Sequence, residues 1–127
     1  MFIRHTSDVG LSVTLMDVLA KAGESYKRGE ALIIGEDGCV TKASGDVSVA
    51  YVCYETKTAK EGDMLRVARV SEHDEFLTTL SADGSKLKAG NRVTISDDGL
   101  EVTATIGEKG AEIVKIKEDG KVLVRLK

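Results

Sequence analysis

Few side chains in this 127-residue sequence could carry out chemistry, and they are widely spaced. The chain has two histidines, His5 and His73, and two cysteines, Cys39 and Cys53. A zinc site needs three or four converging ligands, and neither the isolated histidines nor the cysteine spacing supplies such a set. The sequence therefore predicts no metal site and no catalytic residue. The cysteines are expected to be reduced, and a disulfide between neighbouring strands is the alternative.

The acidic residues gather at glycine turns, where they have a conformational explanation. Asp-Gly dipeptides occur at positions 37–38, 83–84, 98–99 and 119–120, and this pair is preferred in tight hairpin turns. No segment has the ligand spacing of a calcium-binding loop, and the sequence contains no glycine-rich phosphate-binding motif. We therefore predict a protein that is not an enzyme and that needs no cofactor.

The overall composition narrows the classes of partner. The formal net charge is −3, 31% of the residues are charged, and only 4% are aromatic. A nucleic-acid-binding domain usually presents a clustered basic face or exposed aromatic side chains, so nucleic acid is not expected as a partner. No apolar run approaches the roughly 18 residues that a membrane-spanning helix requires. We therefore expect no membrane association.

The positional patterns from Tyr26 onward predict an all-β fold. Short runs rich in Val, Ile and Thr are separated by glycine turns at close spacing, as in small sandwiches and barrels. We predict a compact β-barrel or β-sandwich. The predicted strands fall in eight runs: Ala31–Ile34, Cys39–Lys42, Val49–Tyr54, Met64–Val70, Val93–Ile95, Leu100–Ile106, Ala111–Ile116 and Val122–Leu126.

Two segments of the sequence resemble each other at an offset of 61 residues. KRGEALIIGEDGCVTKA and KAGNRVTISDDGLEVTAT align Gly29 with Gly90 and Gly38 with Gly99. Both continue to a further glycine and then to another β run. The pattern indicates either a duplicated small β unit, or two hairpins that look alike because turn chemistry is limited.

The first 25 residues differ from the rest of the chain. Leu15, Val18 and Leu19 have helical spacing, so a short helical turn is predicted within residues 16–24. The residues before Leu11 have little to bury and predict an extended arm. We therefore divide the chain into an N-terminal arm with a short helix, 1–25, and a β body that folds alone, 26–127. If the β unit is duplicated, its halves would be 26–75 and 76–127.

The apolar residues of this arm are the candidate partner-binding residues. An extended apolar segment could add a strand to the sheet edge of another protein. The alternative is that the segment forms the first strand of the body itself. The candidates are Phe2, Ile3, Val9, Leu11 and Val13.

From about Tyr26 to the C-terminus, the sequence resembles a group of small phage and prophage head proteins that decorate or cement capsids. The segments that carry the resemblance are YKRGEALIIGEDGCVTKASGD, EGDMLRVARVSEHDEFLTTLS, KLKAGNRVTISDDGLEVTAT and GAEIVKIKEDGKVLVRLK. They describe turns and strands, and none of them is catalytic. The resemblance does not extend to the first 25 residues. It implies a β-barrel-like protein on the outside of an icosahedral shell, bound to the major capsid protein and often trimeric.

The expectation from this resemblance is a viral structural protein, found on the capsid surface of the virion and in the host cytoplasm during assembly. Such a protein needs a rigid body and an adhesive face, and neighbouring contacts on a shell raise its effective affinity. One competing interpretation is a small bacterial β-barrel that serves as a binding or adaptor module. The other is an enzyme or a nucleic-acid-binding protein.

Overall fold

The computed structural model describes residues 1–5 and 15–127 of the chain. These residues form β-strands and no helix, so the predicted all-β fold is confirmed. Within these ranges there is accordingly no helix long and apolar enough to cross a membrane. The strands are β1 (Ile3–Arg4), β2 (Leu15–Leu19), β3 (Ser25–Tyr26), β4 (Ala31–Ile34), β5 (Val40–Lys42), β6 (Tyr51–Cys53), β7 (Lys57–Thr58), β8 (Met64–Arg69), β9 (Phe76–Thr79), β10 (Arg92–Ile95), β11 (Val102–Ile106), β12 (Ala111–Ile116) and β13 (Lys121–Arg125).

The strands pair antiparallel in three sheets, none of which closes into a complete barrel. The first sheet has the order β2-β8-β6-β4-β5. The second sheet has the order β1-β9-β13-β12-β10-β11. Strands β3 and β7 form a separate two-stranded ribbon.

Three of the four Asp-Gly dipeptides join paired strands. In the β4–β5 turn, the backbone N–H of Cys39 donates to Asp37 Oδ1 at 3.0 Å, and in the β10–β11 turn Leu100 donates to Asp98 Oδ1 at 3.0 Å. The glycines of these turns have φ of 82° and 71°, a left-handed conformation that glycine adopts without steric cost. The third dipeptide, at 119–120, joins β12 to β13. The one at 83–84 lies between β9 and β10, which do not pair with each other.

The two larger sheets share one connection order. If β1 is set aside, β2, β4, β5, β6 and β8 of the first sheet take the same relative places as β9, β10, β11, β12 and β13 of the second. A parallel bridge after the first strand of each set repeats as well, from Ala20 to Val40 and from Leu80 to Val102. The likeness of the two hairpins therefore extends to five strands. It begins at β2, upstream of the predicted body boundary at residue 25.

The buried apolar side chains form two clusters, of which the larger joins the two larger sheets. The smaller cluster covers one face of the first sheet and includes Tyr26, whose hydroxyl donates to the carbonyl of Val40 at 2.7 Å. The larger cluster joins the two sheets, since it contains Ala31 and Val52 of the first sheet together with residues from β9 to β13 of the second. The first sheet therefore buries apolar side chains on both faces.

The short helical turn predicted within residues 16–24 is wrong, because β2 occupies this region. Strand β2 pairs with β8 along its whole length, from Leu15 opposite Ala68 to Leu19 opposite Met64. Met16 and Val18 pack against the smaller cluster, while Leu15, Asp17 and Leu19, which alternate with them, are exposed. The helical spacing of the apolar residues was misleading because both faces of this strand carry apolar side chains.

The described part of the predicted arm is incorporated into the sheets. Strand β1 pairs with β9 and β2 pairs with β8, so residues on both sides of the 6–14 gap belong to the same two sheets as the body. All eight predicted runs contain a strand, from β4 to β6, β8, and β10 to β13. The strands that the sequence did not predict are β1, β2, β3, β7 and β9. Three of them have two residues each, which is too short for a period to be recognised.

Candidate protein-binding surface

The five predicted partner-binding residues occupy different situations. Phe2 is 2% exposed and belongs to the larger apolar cluster, so its side chain is unavailable to a partner. Ile3 is 54% exposed on β1 and is available. Val9, Leu11 and Val13 lie outside the described residues.

Several contacts fix β1 at the edge of the second sheet. Ile3 lies opposite Leu77 of β9, and the backbone N–H of Phe2 donates to the carbonyl of Gly29 at 2.8 Å. The guanidinium of Arg4 lies 3.3 Å from the carboxylate of Asp74, and both side chains are largely buried. A partly buried ion pair of this kind orients the strand as well as stabilising it. The residues before the gap therefore form part of the folded body.

A patch of exposed apolar side chains lies at the β2 edge of the first sheet. Leu15 and Leu19 of β2 are each 42% exposed, and Met64 of β8 is 47% exposed. Leu19 stands directly opposite Met64 in the antiparallel register, and Asp17 stands opposite Arg66 between the two leucines. Alternate residues of a strand share a face, so these five side chains form one surface, which we call the β2–β8 face.

The β2–β8 face continues the buried surface between the two sheets. One cross-strand row runs from Ala31 through Val52 and Ala68 to Leu15. The first three residues are fully buried, whereas Leu15 is exposed. Among residues 1–5 and 15–127, the apolar surface thus extends past the edge of the sheet contact, and no described side chain covers its end. An exposed apolar patch of this kind is typical of a protein-binding site.

The charged groups of the β2–β8 face are paired and accessible. Arg66 Nε donates to Asp17 Oδ1 at 2.9 Å, with about half of each side chain exposed. In water such a pair contributes only about 0–1 kcal/mol. If a partner covered the pair, the lower dielectric would strengthen the attraction and penalise a poorly matched partner. This pair can therefore contribute specificity, while the leucines and Met64 supply the buried area.

Tyr54 connects this face to the N-terminal strand. The backbone N–H of Tyr54 donates to the carbonyl of Arg66 at 2.9 Å, and the Arg28 guanidinium lies 4.8 Å from the centre of the Tyr54 ring. A small cavity of about 90 Å³ is lined by Tyr54, Arg28 and Ile3, among others. Of the two predicted binding residues that the structure describes, both line this cavity, and Ile3 is the one whose side chain is exposed.

The cysteines and histidines are the side-chain types in this chain most often used for chemistry. Cys53 is buried, its thiol donates to the carbonyl of Glu55 at 3.0 Å, and burial raises the pKa of the thiol to about 11. A nucleophilic cysteine requires the opposite shift. Neither Cys39 nor Cys53 forms a disulfide. His73 is exposed and lies beside Glu72. Residues 1–5 and 15–127 contain no group of three or more His, Cys, Asp or Glu side chains placed to hold a metal ion.

The sequence predicted an adhesive N-terminal region but did not identify the β2–β8 face. The sequence pattern places Leu19 in a helix and Met64 in a strand, and it does not indicate which element lies beside that strand. The available signal was the run LMDVL, in which four of five residues are apolar. A strand with apolar residues on both faces has no polar face for solvent, so it is a candidate for contact on both sides.

No protein-family model matches the chain, and no curated protein sequence is significantly similar to it. The resemblance to small phage head proteins therefore stays a prediction. The β2–β8 face is the structural basis for assigning a function.

Proposed function

We propose that this chain is a non-enzymatic structural protein that binds the outside of a phage capsid, and that the β2–β8 face contacts the major capsid protein. The observation that carries the proposal is the uncovered apolar row that ends at Leu15. Leu19 and Met64 enlarge this row into a patch with apolar side chains on two adjacent strands. The sequence resemblance to capsid decoration proteins supports the choice of partner.

The anatomy of the face suits a protein interface. Protein–protein interfaces combine apolar side chains with hydrogen-bonded polar groups. Here apolar side chains flank one accessible ion pair, Asp17 with Arg66, and the backbone N–H of Tyr54 donates to the carbonyl of Arg66. A face with three exposed apolar side chains would bind weakly as a single contact. Many copies on one shell would bind together effectively, because each occupied site holds its neighbours near the surface.

The rest of the molecule is suited to a structural role. The two larger sheets share one apolar cluster, so the body is held by contacts between distant parts of the chain. A shell protein must present its adhesive face in a fixed geometry, and a packed interior resists deformation. The alternative function is a small bacterial β-barrel that acts as a binding or adaptor module and uses the same face on a soluble partner.

Cosedimentation with assembled shells tests the proposal. Shells would be assembled from the capsid protein that is encoded beside this chain, and binding of the wild-type protein would be compared with that of the Leu15→Lys, Leu19→Lys double variant. We expect the double variant to lose most binding, because two lysines would have to be desolvated in the interface. The matched control is Ile34→Lys with Ile106→Lys, two apolar residues that are 55% and 60% exposed on β4 and β11. The control should bind as the wild type does.

The possible outcomes distinguish two questions: whether the chain binds capsids, and whether the β2–β8 face makes the contact. Failure of the wild-type protein to bind shells, under conditions in which it is folded, would reject the capsid role and favour the adaptor module. Equal binding by both double variants would keep the role and reject the β2–β8 face. Melting temperatures of all three proteins would show that any loss of binding does not come from unfolding.

A further inference from the structure

A groove of about 540 Å³ opens where the two larger sheets meet. It lies between the start of β6 and the end of β8 on one side and the start of β12 and the end of β13 on the other. It shares no residue with the β2–β8 face. The residues that line it are 48–51, 69–70, 108–110, Arg92, Leu126 and Lys127.

The groove lies at the junction of the two equivalent sets of strands. Tyr51 pairs with Arg69 between β6 and β8, and Glu112 pairs with Arg125 between the equivalent strands β12 and β13. Residues 48–50 and 108–110 therefore stand at corresponding places, just before β6 and before β12. Junctions between structural units are a preferred location for binding sites.

Hydrogen bonds between the two halves fix one wall of the groove. The carboxylate of Asp46 accepts the backbone N–H groups of Glu108 at 3.1 Å and Lys109 at 2.7 Å. The N–H of Gly110 donates to the carbonyl of Val47 at 2.8 Å. A Cβ atom at Gly110 would lie 2.1 Å from the carbonyl oxygen of Val93, so only glycine fits there. The wall is therefore formed before any ligand binds, which reduces the entropic cost of binding.

The lining of the groove is positively charged, in contrast to the whole chain. It contains the cationic side chains of Arg69, Arg92, Lys109 and Lys127 and one carboxylate, that of Glu108, whereas the formal net charge of the chain is −3. Arg69 and Lys109 are exposed, while the guanidinium of Arg92 lies 3.9 Å from Glu112, which partly neutralises it. Arg69 and Lys109 are thus the cations best placed to meet an anionic ligand.

Apolar side chains lie among these cations. Val49, Val70 and Leu126 are buried and line the groove. They are 2–5% exposed and offer a ligand little surface, so a ligand for this site should be recognised mainly through its carboxylates. A nucleic acid would need a longer basic track and aromatic side chains for base stacking, and Tyr51 is the only aromatic residue in the lining.

We propose that this groove binds an acidic peptide segment of a partner protein. Carboxylates of the segment would pair with Arg69 and Lys109, the exposed cations of the lining. This second binding site is independent of the proposed capsid contact, because it uses different residues and requires a partner of a different charge.

An NMR titration with a hexaglutamate peptide tests the proposal. We expect amide shifts in residues 48–51, 69–70 and 108–110, and binding that weakens as salt is raised. The Arg69→Gln, Lys109→Gln double variant should weaken binding about tenfold, since two partly exposed charge pairs are lost. The matched control, Lys115→Gln with Lys117→Gln, removes the same charge from exposed positions in and just after β12, outside the groove lining, and should change binding less than about twofold.

Three results would overturn the proposal. Equal weakening in both double variants would mean that hexaglutamate responds only to the net charge of the protein. The absence of shifts in the groove at low salt would mean that it does not bind acidic peptides. Stronger binding of an oligothymidylate than of hexaglutamate, with the same sensitivity to the Arg69 and Lys109 substitutions, would make the groove a phosphate site instead.

Discussion

Glu30 is a buried carboxyl group whose Oε1 atom has no hydrogen-bond partner among the described residues. It lines a cavity of about 200 Å³ that also receives Glu24, Lys27, Lys42 and Asp98. Burial raises the pKa of Glu30 from its ordinary value near 4.5 to about 7, and the positive charge of Lys42 acts in the opposite direction. Near neutral pH the folded protein therefore bears a cost for ionising this residue.

The equivalent turn in the second half of the chain has no such group. Gly29 and Glu30 precede β4 as Gly90 and Asn91 precede β10, and the side chain of Asn91 accepts the N–H of Lys88 at 2.8 Å. An amide at this position satisfies the turn without a charge. Glu30 therefore is not required by the turn itself.

We expect Glu30→Gln to stabilise the protein at pH 8 and to have a smaller stabilising effect, or none, at pH 4. Below pH 4.5 the carboxyl group is protonated in both the folded and unfolded states. Between pH 4.5 and 7 the unfolded chain ionises first, so the folded state loses stability as pH rises, and above pH 7 the full penalty is present. The free energy of unfolding of the variant relative to wild type should rise by about 1–2 kcal/mol between pH 4 and pH 8, after allowance for solvent screening.

Denaturant unfolding at several pH values measures this difference. The control is Glu36→Gln, which removes the same charge from an exposed position in the β4–β5 turn. Its relative stability should change little over the same range. A Glu30→Gln effect that is the same at pH 4 and pH 8 would show that folding does not raise the pKa of Glu30.

At the scale of the element, β1 is an edge strand next to a deeply buried side chain, that of Phe2. Phe2 precedes β1 and is 2% exposed in the cluster between the sheets, whereas Ile3 is 54% exposed on the same short segment. Two adjacent apolar residues therefore have different roles. Burial of Phe2 stabilises the fold, and Ile3 remains free for a partner.

We expect Phe2→Ala to lower the free energy of unfolding by about 3 kcal/mol, because it removes a large buried ring and leaves a cavity. The adjacent change Ile3→Ala should cost less than about 1 kcal/mol. Chemical denaturation of the two variants provides the comparison, and each serves as the control for the other. Equal small effects would mean that β1 is not docked in solution.

The same geometry changes the expected effect of an N-terminal deletion. Removal of residues 1–14 would take away Phe2 and β1 together with any partner-binding groups in the 6–14 segment. The deletion would therefore lower stability as well as binding, so the independent folding of 26–127 stays a prediction. Point substitutions on the β2–β8 face separate the two effects.

At the scale of the whole molecule, the two equivalent sets of strands differ in whether another strand pairs with the outer edge of their first strand. In the second sheet, β1 covers part of the outer edge of β9. In the first sheet, β2 is the terminal strand, and within the described residues no strand pairs with its outer edge. Open strand edges with apolar neighbours tend to associate unless they are covered.

We therefore expect the protein to self-associate, with a trimer as the favoured stoichiometry. Sedimentation equilibrium over a wide concentration range would detect it, and the Leu15→Lys, Leu19→Lys variant would show whether the β2–β8 face is responsible. A wild-type protein that stays monomeric at high concentration would contradict self-association. It would leave the face available for the capsid alone.

The sequence by itself determined the structural class and the positions of the principal turns. The Asp-Gly dipeptides and the β-branched alternation act locally, through backbone conformation and side-chain direction, so β4, β5 and β10 to β13 could be predicted from their own residues. The echo between the two hairpins was visible for the same reason, since Gly38 and Gly99 occupy the same place in two similar turns.

Only the tertiary structure decided which of the apolar residues are covered. LMDVL is compatible with a helix or a strand, and pairing with β8, about fifty residues further along the chain, selects the strand. The burial of Phe2 and Glu30 likewise depends on segments distant in sequence: Phe2 packs against the second sheet, and the turn at Gly99 covers Glu30. Burial is a property of the assembled sheets, because it requires contacts that no local pattern contains. For this reason the β2–β8 face and the basic groove could be identified only from the tertiary structure.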